Sequence, residues 1–354
     1  MAKEDIPKVA SLYEFVMRSG SRVPAPRLER YFERTFFDHP WVDPEIPSLV
    51  YETPNGDIAA FLGSHVRSLR FQEDRIRVGC SGQLVGDPHQ RIKGAGALLL
   101  RRYLQGPQEL SATDGATPEV RQMWEQLGGS TAFLTSLSWL RLFRPFRAAG
   151  NKLVPDWAPR LRPLWSALDG LGAGTAGTLL RPPPPTTRTE HLTPKLLMDH
   201  LPLVTRHLQV RPDYNEASLS WLFTEMERLE TRGQLTRRLV RDLKGRVLGW
   251  YVAYMKPGSV GNVLQIAATP RDTAAVVDRL FHDAWHSGCA ALKGRLEPLL
   301  FPAMHHRRCL IRHDAITLIH SPNTALLSAI YSGKGLLTRL EGEWWMGHHV
   351  EPFT

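Results

Sequence analysis

The sequence is poor in cysteine and has no long apolar run, and each shortage excludes a class of protein. Its 354 residues include only three cysteines, Cys80, Cys289 and Cys309. So few, in an odd number, argue against a disulfide framework and are typical of a reducing compartment. No run of about eighteen apolar residues is present, so no membrane-spanning helix is predicted. The N-terminus also lacks the apolar core of a signal peptide, and we therefore expect a cytoplasmic protein.

Positive charge is in excess. The chain has 44 lysines and arginines against 35 aspartates and glutamates, a net charge of +9. This balance favours anionic partners such as a nucleotide cofactor, an acidic substrate, nucleic acid or a membrane surface. The arginines are scattered rather than grouped in one basic tract, so we expect no dedicated nucleic-acid binding.

Length and element order predict two domains. The first half reads as two helices, a hairpin turning at Pro54–Asp57, a further strand, a loop, and then helix, strand, helix and strand. The second half repeats this order weakly, with its own hairpin at Lys244–Gly245. The order predicts an α/β fold with two domains in tandem, residues 1–145 and 191–354, each a central mixed sheet with helices on both faces.

Residues 146–190 are rich in proline, tryptophan and arginine and read as a linker, with Pro182–Pro185 as a stiff spacer. Within and before this linker, residues 139–165 interleave large apolar side chains with arginines. Two interpretations stay open. The segment is either a connector packed on both halves or an amphipathic segment that contacts a membrane surface or covers an acyl chain.

The most informative segment runs from Leu84 to Ala97, where a predicted strand leads through a loop directly into a predicted helix. The first amides of a helix lack partners and its N-terminus is positive, so a pyrophosphate is stabilised there. Gly94 and Gly96 remove side chains where an anion approaches the backbone, and Arg91 and Lys93 add positive charge. Alternatively, the two glycines only permit close packing of the helix on the strand.

This segment resembles the coenzyme A loop of the GNAT acyltransferases, which reads Arg/Gln-x-x-Gly-x-Gly/Ala between a strand and a helix. Arg91, Gly94 and Gly96 match that pattern, and Pro88 stands three residues ahead of it. The stretch from Val120 to Gly128 is similar to the family's later helix. Two motifs at a suitable separation are more specific than either alone.

The resemblance covers residues 5–137 through motifs and 193–320 through element order only. It implies a tandem GNAT-like protein whose first domain binds acyl-CoA and whose second domain lacks the coenzyme A loop. The implied reaction is direct transfer of an acyl group, most simply acetyl, from acyl-CoA to an amine of a small molecule or peptide.

The resemblance also implies the cofactor-binding residues. The backbone of Leu84 and Gly86 would hydrogen-bond the pantetheine arm, and the amides that follow would hold the pyrophosphate. The full predicted set is Leu84, Gly86, Arg91, Ile92, Lys93, Gly94, Ala95, Gly96 and Ala97.

Transfer to an amine requires a base that takes a proton from the attacking nitrogen. Asp114, just beyond a predicted strand, and Glu52, at the end of another, are the candidate catalytic residues. Both are also residue types found in turns and on surfaces. A backbone amide near Leu84 would hold the negative charge that develops on the carbonyl oxygen.

Two departures from the family pattern matter. Trp124 stands where the family often has a tyrosine that protonates the leaving thiolate, and an indole cannot take that role. The loop of the second half, Thr269–Ala275, has no glycine, so we expect no cofactor there.

Two other functions stay open. Aminoacyl transferases of the FemAB kind also pair two GNAT-like domains, and a basic surface would suit aminoacyl-tRNA. A non-catalytic binding protein with a relic fold is the second alternative. The spacing of His282, His286 and Cys289 resembles a zinc site, but position 283 is aspartate rather than the glutamate of HExxH, and no metal is predicted.

Overall fold

The structure is a computed structural model that describes residues 1–90, 92, 94–145, 180–314, 316–346 and 351–353. It divides into two compact units, each with its own mixed sheet. Unit 1 comprises Met1–Phe133, Leu208–Met226 and Ala315–Thr354, and unit 2 comprises Leu134–His207 and Glu227–Asp314.

Unit 1 is built on one mixed sheet. Its strands are β1 (Leu49–Glu52), β2 (Ile58–Phe71), β3 (Asp74–Gly86), β4 (Leu110–Thr113), β5 (Ser130–Thr131), β8 (Val210–Pro212) and β14 (Leu318–His320). Their order in the sheet is β1-β2-β3-β4-β14-β5, with β8 pairing β2. The helices of unit 1 are α1 (Ile6–Tyr13), α2 (Leu28–Phe36), α3 (Ala95–Leu104), α4 (Pro118–Gln126), α6 (Glu216–Glu227, ending at the unit boundary) and α9 (Thr324–Tyr331). Helices α1 and α2 pack on one face of the sheet, and α3 and α4 pack on the other.

Unit 2 is built on the second mixed sheet. Its strands are β6 (Leu137–Leu142), β7 (Thr187–His191), β9 (Gln234–Asp242), β10 (Val247–Met255), β11 (Val260–Ala268), β12 (Ala291–Arg295) and β13 (Leu310–His313). Their order in the sheet is β13-β6-β12-β11-β10-β9-β7. The helices of unit 2 are α5 (Pro194–Thr205), α7 (Thr273–His286) and α8 (Phe301–His306). Every residue of β10 is buried, because helices cover the sheet and leave no solvated face for polar residues.

Both sheets contain strands from the other half of the sequence. β6 belongs to the first half but pairs with β12 and β13 in unit 2. β8 and β14 belong to the second half, but β8 pairs with β2 and β14 lies between β4 and β5 in unit 1. The compact units therefore do not follow the sequence boundaries at residues 145 and 191, because strand pairing is set by long-range contacts that local patterns do not encode.

The predicted α/β class, with mixed sheets and helices on their faces, is confirmed. Among the described residues, no helix is long and apolar enough to cross a membrane. Of the segment 139–165, Trp139 and Phe143 are buried in the core of unit 2 and are not available to a membrane surface. Residues 146–165 lie outside the described residues.

We expect Trp139→Ala to destabilise unit 2 by about 3–5 kcal/mol, the usual cost of truncating a buried aromatic residue. Trp139 is fully buried, packs on Phe281 and donates from Nε1 to the carbonyl of Arg295 at 3.0 Å. Urea denaturation measures the change in the free energy of unfolding. Leu243→Ala, at a side chain 61% exposed in the same unit, is the control and should change it by no more than about 0.5 kcal/mol. Equal effects of the two substitutions would contradict the placement of β6 in this core.

Candidate functional site

The predicted cofactor loop follows β3 and leads into α3. β3 stays paired with β2 to its last residue, where Gly86 lies opposite Ala60. The amide of Asp87 then donates to the carbonyl of Ala59 at 2.8 Å. Because backbone groups alternate between the two edges of a strand, Gly86 and, two residues earlier, Leu84 turn their N–H and C=O groups away from β2. These are the two residues predicted to bind a pantetheine arm.

The residue that precedes α3 is a glycine in the left-handed backbone conformation. Gly94 is the residue before the first helical turn, with φ of +87°, and a Cβ added there would meet nothing within 4 Å. A Cβ on Gly96 would lie 3.7 Å from Leu84 Cδ1, an ordinary packing distance. Gly94 therefore serves backbone conformation rather than helix–strand packing, and the space above this helix end is open.

The other predicted cofactor residues flank Gly94. Ile92 is half-buried and packs against the apolar cluster beneath α3 and α4. Ala95 is buried and Ala97 is half-buried. Arg91 and Lys93 lie outside the described residues. The amide of Ala95 donates to the carbonyl of Ile92 at 3.4 Å. The described part of the loop thus presents a helix N-terminus, with its partial positive charge and the amides of Gly96 and Ala97 in its first turn, beside an open glycine.

Asp87 anchors the start of the loop. Its buried carboxylate accepts hydrogen bonds from Arg22 at 2.5 Å and from the amide of His89 at 2.9 Å. Burial alone would raise the pKa of Asp87, but the hydrogen bonds from Arg22 and His89 outweigh it and lower the pKa. The negative charge of this residue is therefore paired and does not oppose an anion at the loop.

β3 has one open edge near the loop. A β-bulge interrupts its ladder with β2 at Gln83, whose φ is +52°. On the other side, β3 pairs with β4 only from Val78 to Cys80. No strand among the described residues pairs with that edge over residues 81–86. Bulges and separating strands re-aim backbone groups and are over-represented beside active sites.

Two buried carboxyl groups lie where β3 and β4 separate. Oε1 of Glu343 accepts hydrogen bonds from Thr113 Oγ1 at 2.5 Å and from the amide of Asp114 at 2.9 Å. In return, Oδ1 of Asp114 accepts from the amides of Glu343 at 3.1 Å and Trp344 at 2.9 Å. A Cβ on Gly82 of β3 would lie 3.2 Å from Glu343 Cγ, so this pair spans the two strands.

Glu343 favours its protonated form. Burial raises the pKa of Glu343 well above its usual range, and the charge of Asp114 raises it further. Two carboxyl groups this close cannot both be ionised at low cost, which is the physical cause of the second effect.

A buried arginine and several neutral groups surround the pair. Arg67 of β2 is fully buried, stacks 4.8 Å from the ring of Trp41 and donates to the carbonyl of Val66. Glu341 accepts from Tyr214 and from Thr338.

His65 on β2 and Cys80 on β3 stay uncharged. Burial, with help from the charge of Arg67, lowers the pKa of His65 to about 3, and burial raises the pKa of the Cys80 thiol. His65 is neutral and its Nε2 lies 3.2 Å from Gln83 Oε1. Cys80 is a protonated core residue rather than a nucleophile.

The structure brings Asp114 to this pair and places Glu52 elsewhere. Glu52 is an exposed residue opposite Ile58 at the end of β1, two strands away from β3. Trp124 is fully buried and donates from Nε1 to the carbonyl of Ile319 at 3.2 Å, which makes it a core residue. Sequence reasoning missed Glu343, and the only signal was a Glu-Gly-Glu run between apolar residues near the C-terminus.

The corresponding helix of unit 2 begins differently. Asp272 precedes the first turn of α7, and its carboxylate accepts from Arg246 at 2.8 and 3.0 Å and from Thr269. The hydrogen bond from Arg246 is the largest of the effects that lower the pKa of Asp272. An internal carboxylate therefore lies where an anionic ligand would have to approach.

Within the described residues, no three His, Cys, Asp or Glu side chains are grouped so that they could hold a metal ion. The rings of His282 and His286 lie 4.0 Å apart, and His286 Nδ1 bonds the carbonyl of His282. Cys289 is buried against Met255.

No protein-family model and no curated protein sequence matches the chain. Solved structures do match its fold. A GCN5-related N-acetyltransferase from Anabaena variabilis superposes with a TM-score of 0.58 at 12% identity, over 91% of this chain and 72% of that one. A protein from Enterococcus faecalis described as a probable N-acyltransferase gives 0.57 at 12%, over 91% and 71%. Saccharomyces cerevisiae N-myristoyltransferase, solved with bound myristoyl-CoA, gives 0.52 at 9%, over 90% and 78%.

These likenesses extend over nine-tenths of the chain and therefore concern both units. The predicted tandem GNAT-like fold is confirmed. At such low identity the likeness shows the fold alone, and the chemistry has to be argued from this chain's own residues.

Glu343→Gln should remove a pH-dependent loss of stability. A carboxyl group whose pKa is raised on folding stabilises the folded state fully below its unfolded pKa, and this contribution is lost as pH rises through the folded pKa. The free energy of unfolding should therefore fall with rising pH by about 1.4 kcal/mol per unit of pKa difference, and the variant should lack this slope.

Urea denaturation between pH 4 and 9 measures this slope. Glu52→Gln, at an exposed carboxylate of the same unit, is the matched control and should keep the wild-type slope. A Glu343→Gln variant that retains the wild-type slope would show that Glu343 is ionised in the folded protein.

Proposed function

We propose that the chain is an N-acyltransferase that binds acyl-CoA in unit 1 and transfers the acyl group directly to an amine. One observation carries this proposal: a buried carboxyl pair lies between separating strands, beside the open edge that leads into a glycine-started helix. That arrangement supports an anion site, a strand edge for hydrogen bonds and a proton acceptor along one strand.

The residues present suit coenzyme A. Its pyrophosphate needs unpaired amides and an approach free of side chains, which the first turn of α3 and Gly94 supply. Its pantetheine arm carries amides that pair with an extended backbone, which the open edge at Leu84 and Gly86 supplies. When bound, acyl-CoA would supply an activated acyl group and a thiolate leaving group.

The chain's own residues would then do three things. The loop amides from Ile92 to Ala97, with the charges of Arg91 and Lys93, bind the pyrophosphate. A backbone N–H on the open edge near Leu84 stabilises negative charge on the acyl carbonyl oxygen. The pair of Asp114 and Glu343 accepts the proton that the attacking amine must lose.

Asp114 is the proposed base, and Glu343 positions it. The proton from the amine passes to Asp114, while the amides of Glu343 and Trp344 hold Oδ1 of Asp114 in place. Burial raises the pKa of Glu343, so Glu343 can position Asp114 without adding a second negative charge beside it. Trp124 supplies no acid, so the thiolate takes its proton from solvent or from the pair.

We place a single acyl-CoA site in each chain. Asp272 and Arg246 fill the start of α7 in unit 2, whereas Gly94 leaves the start of α3 open. Acetyl is the simplest acyl group and our first choice of donor, with longer chains as the variable to test. The acceptor is an amine of a small molecule or peptide.

Gly94→Trp should abolish acyl-CoA binding, because the new side chain would fill the space that the pyrophosphate needs. Gly245→Trp is a matched control, since Gly245 also has a positive φ, +91°, and also has nothing within 4 Å. Thermal shift with acetyl-, octanoyl- and myristoyl-CoA is the measurement, because a ligand that binds only the folded state raises the Tm. Loss of the shift in both variants, or in neither, would refute the loop assignment.

Asp114→Asn should lower kcat by about 10²–10⁴-fold, the usual contribution of a general base, with little change in the KM for acyl-CoA. The asparagine oxygen still accepts from the two backbone amides, so the fold is retained while the base is lost. Glu52→Gln is the rival variant and should keep the wild-type kcat. A large loss in Glu52→Gln together with a normal Asp114→Asn would move the base to Glu52.

A further inference from the structure

Unit 2 contains a cavity of about 380 Å³ at one end of its sheet. It lies beside α7 and the end of α8, and its wall is mainly basic. The charged lining residues are Arg141, Arg181, Arg307, Arg308 and Asp278, and Phe281 with two prolines forms an apolar part of the wall. Four guanidinium groups against one carboxylate leave three positive charges in a small volume.

Two of the guanidinium groups are fixed in the wall. Arg307 binds Asp278 through two hydrogen bonds of 2.6 Å and also donates to the carbonyls of Ala303 and Ala274. Arg141 donates to the carbonyl of Arg307 at 2.6 Å. Among the described lining residues, the one carboxylate is therefore already paired, and these two arginines are held in place by their hydrogen bonds.

The other two guanidinium groups are available. Among the described residues, neither Arg181 nor Arg308 forms an ion pair or a side-chain hydrogen bond, and both are exposed. Arginines that face each other without an anion repel. Burial lowers the pKa of Arg141; Cys309 opposes this change, and the nearby charges of Arg308 and Arg307 add to it. A dianion in the cavity would relieve this repulsion.

We propose that this cavity binds a small phosphate monoester with an apolar body. A phosphate monoester carries a charge of about −1.5 to −2 at pH 7, which matches the two available guanidinium groups, and arginine binds phosphate through paired hydrogen bonds. Phe281 and the prolines suit an apolar group attached to the phosphate. The volume lies near the lower end of the range of about 300–1,000 Å³ for small-ligand pockets.

The site is distinct from the proposed acyl-CoA site, because all of its lining residues belong to unit 2 and none lies on the loop before α3. Its ligand could bind whether or not unit 1 is a transferase. Arg141 and Arg307 would set the position of the phosphate, while Arg181 and Arg308 would close on it as it binds.

Isothermal titration of the full chain with phenyl phosphate tests the proposal, with benzenesulfonate as a monoanion of similar shape. We expect phenyl phosphate to bind at least tenfold more tightly than benzenesulfonate. The double substitution Arg181→Gln and Arg308→Gln should weaken phenyl phosphate at least tenfold. Arg312→Gln, at an exposed arginine of β13 outside the cavity, should leave it unchanged.

Gly94→Trp separates the two sites, since it blocks only the loop of unit 1. Retention of phenyl phosphate binding in this variant, with loss in the double variant, supports the cavity. Three results would overturn the proposal. They are loss of phenyl phosphate binding in Gly94→Trp, unchanged binding in the double variant, and no detectable binding by the wild type at about 5 mM phenyl phosphate.

Discussion

The separation of β3 from β4 beyond Cys80 is the constraint on which the rest of unit 1 depends. Backbone groups along residues 81–86 need partners, and β2 satisfies only one edge. A sheet closed on both sides would leave no room for an extended ligand beside the strand. The open edge, the bulge at Gln83 and the direct passage from strand to helix therefore belong together, because each re-aims backbone groups toward the same space.

The carboxyl pair shows how such an opening is stabilised. Burying two carboxyl groups is costly unless their oxygens are hydrogen-bonded and their charge is reduced. Here three backbone amides and the hydroxyl of Thr113 bond to Asp114 and Glu343, and the raised pKa of Glu343 favours its neutral form. The same contacts tie the C-terminal turn to the end of β4. Stability of the opening and the presence of a proton acceptor thus have one physical origin.

Much of the loop could be predicted from the sequence, since its signals are local. Asn55-Gly56 predicted the hairpin before β2, and the strand–loop–helix order around Leu84–Ala97 predicted that β3 leads through a loop into α3. Glu343 could not be predicted, because it meets Asp114 across 229 residues of chain. For the same reason the exchange of β6 and β14 was missed: a strand's own pattern reports which face is buried and not which strand lies beside it.

The two units show that a repeated fold does not carry a repeated site. Both present a helix that starts after a long strand of a mixed sheet. The residue before α3 is the left-handed Gly94, with open space around it, so no side chain at that position covers the partial positive charge of the helix end. In α7 the same position holds Asp272, whose carboxylate is locked by Arg246. A single internal carboxylate thus brings negative charge, already paired with Arg246, to the helix end that an external phosphate would otherwise approach, and element order alone could not distinguish these two outcomes.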